Sequence, residues 1–326
     1  MLLYIRLPVA YLLNSCYQQG ELFYVDNRVL IPRSHIGEIL HSYPQYCQQL
    51  RQPQQQAQQD SENPSELQYD DYFPTYTSPS SSSSSADSSE TSPRLILPAA
   101  EDINDVLDLC TGSGCLAVLA ARQFMAAGTA GSSAVPARQR RSRRSRPLRI
   151  DAVDISRDAL SVAEVNINNK SLQTVISLHL GDLYSALPAP KSGSRTSQVR
   201  QYDLIICNPP YVMSSVIKSL PKEYLHEPTS LALDGGMDGL KVVERVLRGA
   251  FAHLKENGGL ILEVGTGKDA LIRLFPNLFE DEDIGASSPS TLSSPLAKRV
   301  LWLATSNSED EVCFIPKQYL AEQYLE

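Results

Sequence analysis

The sequence predicts an open α/β fold with one mostly parallel β-sheet and an antiparallel hairpin at its C-terminal end. Short apolar runs that suit buried strands alternate with helical segments between residues 105 and 279, and this order is typical of a parallel sheet. The last two runs, 299–304 and 311–316, are separated only by the polar segment 306–310. Because a crossover between parallel strands needs a much longer connection, we expect these two strands to pair antiparallel.

The elements follow one another behind an opening hairpin region. Apolar runs of strand length define the strands, and the longer segments between them define the helices. The predicted strands are 105–109, 148–154, 174–180, 202–207, 259–264, 299–304 and 311–316. The predicted helices are 114–126, 157–169, 238–256 and 268–279, and the first of them contains the apolar run 116–124.

Several polar stretches interrupt this order and cannot add to a hydrophobic core. Residues 45–94 form a Gln-, Ser- and Pro-rich segment, and this composition predicts disorder. Further disordered inserts are expected near 128–147, 188–201 and 281–297. We therefore divide the chain into a leader and hairpin region (1–44), the insert 45–94, and an α/β domain (95–326). About 200 residues remain outside the inserts, enough for one domain with a substantial core.

Charge and cysteine content narrow the class of protein. The formal net charge of −8 is not typical of a nucleic-acid-binding protein, yet seven arginines lie in the segment Arg138–Arg149. Such a basic loop either contacts RNA or another anionic surface, or is simply solvated.

The six cysteines show neither metal-ligand spacing nor the pattern of a secreted protein. We therefore expect no metal site and a reducing intracellular compartment, either the cytoplasm, a mitochondrion or a plastid. No stretch is long enough to span a membrane, and we expect no membrane contact.

A glycine-rich turn follows the first strand of the predicted sheet. In Asp108-Leu-Cys-Thr-Gly-Ser-Gly, the glycines at Gly112 and Gly114 let the backbone approach a ligand, and the turn leads into a helix N-terminus. A dinucleotide site usually has three glycines, whereas the third position here is Ala117. The acidic Asp108 disfavours a phosphate and favours a cation. S-adenosylmethionine carries both an ammonium and a sulfonium, so the turn predicts a site for this cofactor.

Acidic residues also end the next two strands. Asp154 closes the second strand, where an acid can accept hydrogen bonds from both hydroxyls of a ribose. Asp182 follows the third strand and is placed to contact the amino group of an adenine. Either acid would also serve as an ordinary helix cap. Strand-end motifs in this order favour a nucleoside-binding edge of the sheet.

The strand 202–207 ends in Asn208-Pro-Pro-Tyr. Two successive prolines remove two backbone donors, so nearby carbonyls stay free to accept hydrogen bonds. The Asn208 side chain adds an amide oxygen, and Tyr211 adds an aromatic face. These acceptors suit a planar NH2 group whose hydrogens are held while its nitrogen faces an electrophile. An ordinary proline-rich turn is the alternative interpretation.

These motifs resemble those of the HemK/PrmB-type protein-(glutamine-N5) methyltransferases. Arg6-Leu-Pro-Val-Ala-Tyr-Leu, Ile31-Pro-Arg-Ser, His226-Glu-Pro and Asp234-Gly-Gly-Met-Asp-Gly-Leu strengthen the resemblance. The resemblance implies a class I S-adenosylmethionine-dependent methyltransferase fold, which is Rossmann-like. The form of the Ile31 motif is most similar to the branch that methylates a glutamine of the third large-subunit ribosomal protein, and a release factor is the second candidate acceptor.

The resemblance also implies a role for each candidate residue. The expected catalytic residues are Asn208, Pro209 and Tyr211, because the Asn208 oxygen and the Pro209 carbonyl would accept the two amide hydrogens. The expected cofactor-binding residues are Asp108, Thr111, Gly112, Gly114, Asp154, Ile155, Asp182 and Asn208. The expected substrate-binding residues are Phe23, Arg33, Pro210 and Glu227. The segment Arg138–Arg149 is a candidate contact with ribosomal RNA.

Two alternatives stay open on the sequence. The same Asn-Pro-Pro-aromatic motif would serve an enzyme that methylates the exocyclic amino group of adenine or guanine in nucleic acid. The second alternative is a non-catalytic scaffold that recruits partners through its inserts.

Members of the family usually carry a helical N-terminal domain that recognises the substrate, whereas the first family motif here begins at Arg6. If the chain is a truncated gene model or a fragment, we expect Met1–Ile5 to be the exposed apolar remnant of a longer linker.

Overall fold

The computed structural model of the chain describes residues 6–48, 97–129, 146–188, 199–279 and 299–325. Met1–Ile5 and most of each predicted insert lie outside the described residues. The predicted boundary of the first insert differs from the structure, since residues 43–48 are helical and Cys47 is buried against the core. Among the described residues, no helix is long and apolar enough to cross a membrane, and no cluster of His, Cys, Asp and Glu could hold a metal ion.

The centre of the molecule is a seven-stranded sheet in the order β5-β4-β3-β6-β7-β9-β8. All strands run parallel except β9, which pairs antiparallel with both of its neighbours. A separate hairpin, β1 with β2, precedes the sheet. The strands are β1 Cys16–Gln18, β2 Glu21–Phe23, β3 Asp105–Leu109, β4 Arg149–Asp154, β5 Ile176–Leu180, β6 Tyr202–Cys207, β7 Leu254–Glu263, β8 Leu301–Trp302 and β9 Val312–Pro316.

The α-helices lie on both faces of this sheet. They are α1 Val9–Leu12, α2 Ile36–His41, α3 (43–48), α4 Cys115–Thr129, α5 Arg157–Asn169, α6 Ser214–Ile217, α7 Thr229–Ala232, α8 Lys241–His253, α9 Lys268–Leu274 and α10 Pro276–Phe279. Both the fold class and the C-terminal hairpin predicted from the sequence are confirmed.

Side chains that alternate along the strands divide the core into two layers. On β3, Val106 packs with α2 and α4 on one face, whereas Leu107 packs with α8 on the other. Because both faces are covered, all five residues of β3 are buried. This is why the central strands are nearly continuous apolar runs in the sequence.

The observed boundaries differ from the predicted ones where a local signal was misread. The predicted helix 268–279 is split at Phe275, because the residue before a proline is disfavoured in the helical conformation and Pro276 follows. Strand β7 begins at Leu254, five residues before the predicted start, and its pairing with β6 shifts register near Leu204. Strand β8 shrinks to two residues at the edge of the sheet.

Candidate active site

The carboxyl ends of β3, β4, β5 and β6 meet at one edge of the sheet, where two adjoining cavities open. The first cavity, of about 320 Å³, is lined by the glycine-rich turn, the ends of β4 and β5, and residues 28–34. The second, of about 300 Å³, lies beside Tyr211, Tyr224 and Glu263. Four residues line both cavities, namely Leu30, Arg33, Asn208 and Ala232. Each volume falls within the usual range of about 300–1,000 Å³ for small-ligand pockets.

The two glycines of the turn have different surroundings. Gly112 has φ +55°, and apart from its two chain neighbours no residue has an atom within 4 Å of where its Cβ would be, so the backbone is open toward the first cavity. Gly114 has φ +77°, but a Cβ there would lie 3.0 Å from the Cβ of Ala163 on α5. Gly114 lines neither cavity, and its close approach to α5 leaves no room for a side chain there. Its expected contact with the cofactor stays a prediction. Thr111, in contrast, lines the first cavity as expected.

Asp154 ends β4 on the wall of the first cavity. Its Oδ2 accepts a hydrogen bond from the Gly112 amide at 2.8 Å, and its Oδ1 accepts one from the Ser156 amide at 2.9 Å. Burial raises the pKa of this carboxyl, and the amide donors of Ser156 and Gly112 oppose the shift. Each oxygen keeps a further lone pair for a ligand donor. Asp154 therefore holds the turn in place and still presents acceptors to the cavity.

Asp108 lies beneath the turn and lines neither cavity. It is fully buried, and its Oδ2 accepts hydrogen bonds from the Thr111 hydroxyl at 2.5 Å and the Ala117 amide at 3.1 Å. Burial raises its pKa to about 7 in spite of these donors. Its Oδ1 has no hydrogen-bond partner among the described residues. The structure thus differs from the expectation of an acid on the cavity wall, because Asp108 stabilises the turn from behind.

The expected adenine end of the first cavity contains Asp182, Ile155 and Arg245. The Arg245 guanidinium on α8 donates to Asp182 Oδ2 at 2.7 Å, and both side chains are about half exposed. Ile155 is 55% exposed, so it offers an apolar surface there. Sequence reasoning found Asp182 and Ile155 but missed Arg245, since nothing in the helical pattern of α8 distinguishes that position.

The three residues after β6 face different cavities. Pro210 lines the first, Pro209 lines the second, and Asn208 lines both. No hydrogen bond joins the Asn208 side chain to another described residue. The amide of Asn208 is therefore available to a ligand at the junction of the two cavities.

Tyr211 forms part of the wall of the second cavity. Its hydroxyl donates to Glu263 Oε1 at 3.0 Å. Its ring packs so closely on Gly265 that a Cβ at that glycine would lie 2.5 Å from a ring carbon. Burial and the negative charge of Glu263 raise the pKa of the Tyr211 phenol. The ring is therefore fixed in orientation, and its hydroxyl stays protonated.

Arg33 forms a bidentate ion pair with Glu227, with both N–O distances at 3.0 Å. The guanidinium also lies 4.8 Å from the ring centre of Tyr224. Glu227 is buried and lines neither cavity, whereas Arg33 lines both. The pair joins two segments 194 residues apart in the sequence. Only Arg33 is placed to touch a ligand, and Glu227 holds it.

Phe23 does not lie in the pocket, although we expected it to be a substrate-binding residue. It is completely buried in the core and lines neither cavity. The Lys170 ammonium lies 5.4 Å from its ring centre. The alternation along β2 turns Phe23 inward, because Leu22 takes the exposed position.

Two buried polar residues that sequence reasoning missed tie the N-terminal segment to the site. The Asn166 amide donates to the carbonyls of Tyr24 at 3.0 Å and Ser113 at 2.9 Å, and its oxygen accepts from the Tyr24 amide at 2.7 Å. Glu263 ends β7 and contacts Ser34 as well as Tyr211. Glu263 is a strand-end acid like Asp154, and that signal was available in the sequence.

Comparison with known proteins decides the family. The chain is 37% identical over 310 residues to the ribosomal protein uL3 glutamine methyltransferase of Bradyrhizobium diazoefficiens, a match covering 95% of this chain and 67% of that protein. The protein of the same name from Bordetella pertussis is 31% identical over 97% of this chain and 72% of its own length.

The chain belongs to the uL3 glutamine methyltransferase family. No family model matches it. Among solved structures, an S-adenosylmethionine-dependent methyltransferase from Clostridium acetobutylicum has 20% identity and a TM-score of 0.28, with 56% of this chain and 51% of that one covered. A similarity this weak says nothing of the site.

Proposed function

We propose that this protein transfers a methyl group from S-adenosylmethionine to the side-chain amide nitrogen of a glutamine in ribosomal protein uL3. The observation that carries the proposal is the place of Asn208, whose amide has no partner among the described residues and lines both cavities. A group at this junction can contact a methyl donor on one side and an acceptor on the other. The choice of uL3 as the methyl acceptor is supported by membership of the uL3 glutamine methyltransferase family.

The first cavity suits the cofactor. Gly112 leaves the backbone open to a ligand, and Asp154 presents two oxygens with free lone pairs. Thr111, Ile155 and Asp182 line the same cavity. When bound, S-adenosylmethionine supplies an electrophilic methyl group. We assign Asp154 to the ribose hydroxyls and Asp182 to the adenine amino group, the latter with its carboxylate already oriented by Arg245.

The second cavity suits the glutamine side chain. An amide nitrogen is a poor nucleophile because its lone pair is delocalised, so orientation has to supply much of the catalysis. The Asn208 oxygen and the Pro209 carbonyl would accept the two amide hydrogens and direct the nitrogen toward the first cavity. Positive charge that develops on the nitrogen would be stabilised by these fixed dipoles. The protonated phenol of Tyr211 bounds the cavity, and Arg33 lines both this cavity and the first one.

The proposed contact with ribosomal RNA rests only on the arginine-rich segment. Two of its seven arginines are among the described residues, and both Arg146 and Arg149 pair with the buried Asp105 at 3.0 Å and 2.5 Å. Asp105 begins β3, at the edge of the sheet opposite the cavities. The two described arginines therefore lie away from the cavities, at the opposite end of β3.

A methylation assay with separate acceptors tests the proposal. The purified chain is incubated with radiolabelled S-adenosylmethionine and, in parallel, with unmethylated uL3, an unmethylated release factor, DNA and RNA. We expect label in uL3, and mass spectrometry of proteolytic fragments should place one methyl group on a glutamine. Label in nucleic acid alone would refute the proposal in favour of an exocyclic amino acceptor. Absence of label in every arm, together with undetectable S-adenosylmethionine binding by calorimetry, would favour a scaffold.

A further inference from the structure

Glu263 stands out among the polar residues near the site because it is buried and hydrogen-bonds to two residues that line the second cavity, His35 and Tyr211. Only 1% of its surface is exposed, although it lines that cavity at the end of β7. Burying a carboxylate is costly unless hydrogen bonds compensate. Four donors surround this one, and they come from two segments far apart in the sequence.

The two carboxylate oxygens are divided between those segments. Oε2 accepts from the Ser34 hydroxyl at 2.5 Å, the His35 amide at 3.0 Å and the Ile36 amide at 3.5 Å. Oε1 accepts from the Tyr211 hydroxyl at 3.0 Å. One oxygen thus holds the turn that follows Arg33, and the other holds the aromatic ring of the Asn208 motif.

We propose that Glu263 is a positioning residue for methyl transfer, which acts by fixing the Tyr211 ring and the Ser34–Ile36 turn relative to each other at the acceptor site. The inference rests on the proposed function and goes beyond it, since it assigns the geometry of the acceptor site to a residue outside the Asn208 motif. Glu263 does not line the first cavity, but its partner Ser34 does. A variant that keeps the contact with Ser34 should therefore leave cofactor binding nearly unchanged.

Replacing Glu263 with glutamine distinguishes its contact with the Ser34–Ile36 turn from its contact with Tyr211. The backbone amides of His35 and Ile36 can only donate, so the oxygen of the Glu263→Gln side chain has to face them. Its NH2 group then faces the Tyr211 hydroxyl, which can accept as well as donate. Glu263→Gln therefore keeps the turn in place and reverses the polarity of the Tyr211 contact. The matched control is Glu256→Gln, the same chemical change on the same strand, at a side chain that is 88% exposed.

The first test is kinetic, with unmethylated uL3 as acceptor. We expect Glu263→Gln to lower kcat by about tenfold, with the Kd for S-adenosylmethionine within about twofold of the unaltered protein. Glu256→Gln should change neither quantity. When Tyr211 is already replaced by phenylalanine, adding Glu263→Gln should lower kcat by less than about threefold further. Both changes disturb the same interaction, so their effects on kcat should not multiply. The proposal would be overturned if Glu263→Gln left kcat unchanged, or if it lowered kcat and cofactor affinity by the same factor. It would also be overturned if the effects of Tyr211→Phe and Glu263→Gln on kcat multiplied fully.

The second test does not depend on activity. Protein with isotope-labelled tyrosine rings is studied by NMR, and the Tyr211 signal is assigned by its loss in Tyr211→Phe. Glu263→Gln should shift this signal, whereas Glu256→Gln should not. A stationary signal overturns the positioning role even if uL3 is methylated. A shifted signal in a protein that fails to methylate uL3 supports the Glu263 contact and places the failure in the proposed function.

Discussion

Replacing Asn208 with alanine separates a catalytic role from a structural one. Because no described residue hydrogen-bonds to the Asn208 side chain, its removal leaves no buried protein donor or acceptor without a partner. We therefore expect the free energy of unfolding to change by no more than about 0.5 kcal/mol. The loss should instead fall on turnover, by about 10²-fold or more, which is the usual effect of removing one preorganised transition-state hydrogen bond.

Three measurements check this expectation on the same protein preparations. Thermal unfolding and calorimetry with S-adenosylmethionine should give nearly unchanged values, since Asp154 and the Gly112 turn remain. Single-turnover methylation of uL3 should show the loss. Asn169→Ala, at an exposed position on α5, is the matched control and should behave like the unaltered protein. If Asn208→Ala lost cofactor affinity and turnover by the same factor, the turn would be structural and the assigned mechanism would be wrong.

Three further predictions concern the residues around the site. Asp154→Ala should weaken S-adenosylmethionine binding by about 1–3 kcal/mol and also lower the melting temperature, because it strips acceptors from two backbone amides; unchanged affinity in calorimetry would contradict the ribose assignment. Arg33→Met should raise the KM for uL3 and destabilise the protein by about 1–3 kcal/mol, since it leaves the buried Glu227 without its ion pair. The double variant with Glu227→Gln should recover stability but not KM, and recovery of both would show that Arg33 does not touch the acceptor. Asp108 binds a proton more tightly in the folded protein, where its pKa is about 7, than in the unfolded chain. Its contribution to the free energy of unfolding is therefore complete below about pH 4 and is lost as the pH rises through 7. Urea unfolding between pH 5 and 8 should show this decline, about 1.4 kcal/mol per pH unit at most, and Asp108→Asn should lack it.

The sequence predicted the order of the elements well because the two faces of the sheet are both covered. Short, mostly apolar runs such as those of β3 and β6 favour buried strands, and the short gap before β9 favours antiparallel pairing with β8. Boundaries were less predictable. Helix α9 ends before Phe275 for a local reason that is visible in the sequence, because Pro276 follows. The early start of β7 depends instead on its pairing with β6, which no local pattern encodes.

The sequence by itself determined the fold class, the family motifs and the strand ends at which the candidate residues lie. The carboxyl ends of parallel strands lie at one edge of a sheet, so the sequence placed Asp154, Asp182 and Asn208 at the same edge. Only the tertiary structure decided which way each side chain faces. Phe23 turns into the core and Asp108 supports the turn from behind, whereas Glu263 joins segments 229 residues apart. Contacts of that kind depend on how distant segments pack together, and a single sequence does not contain the distances between them.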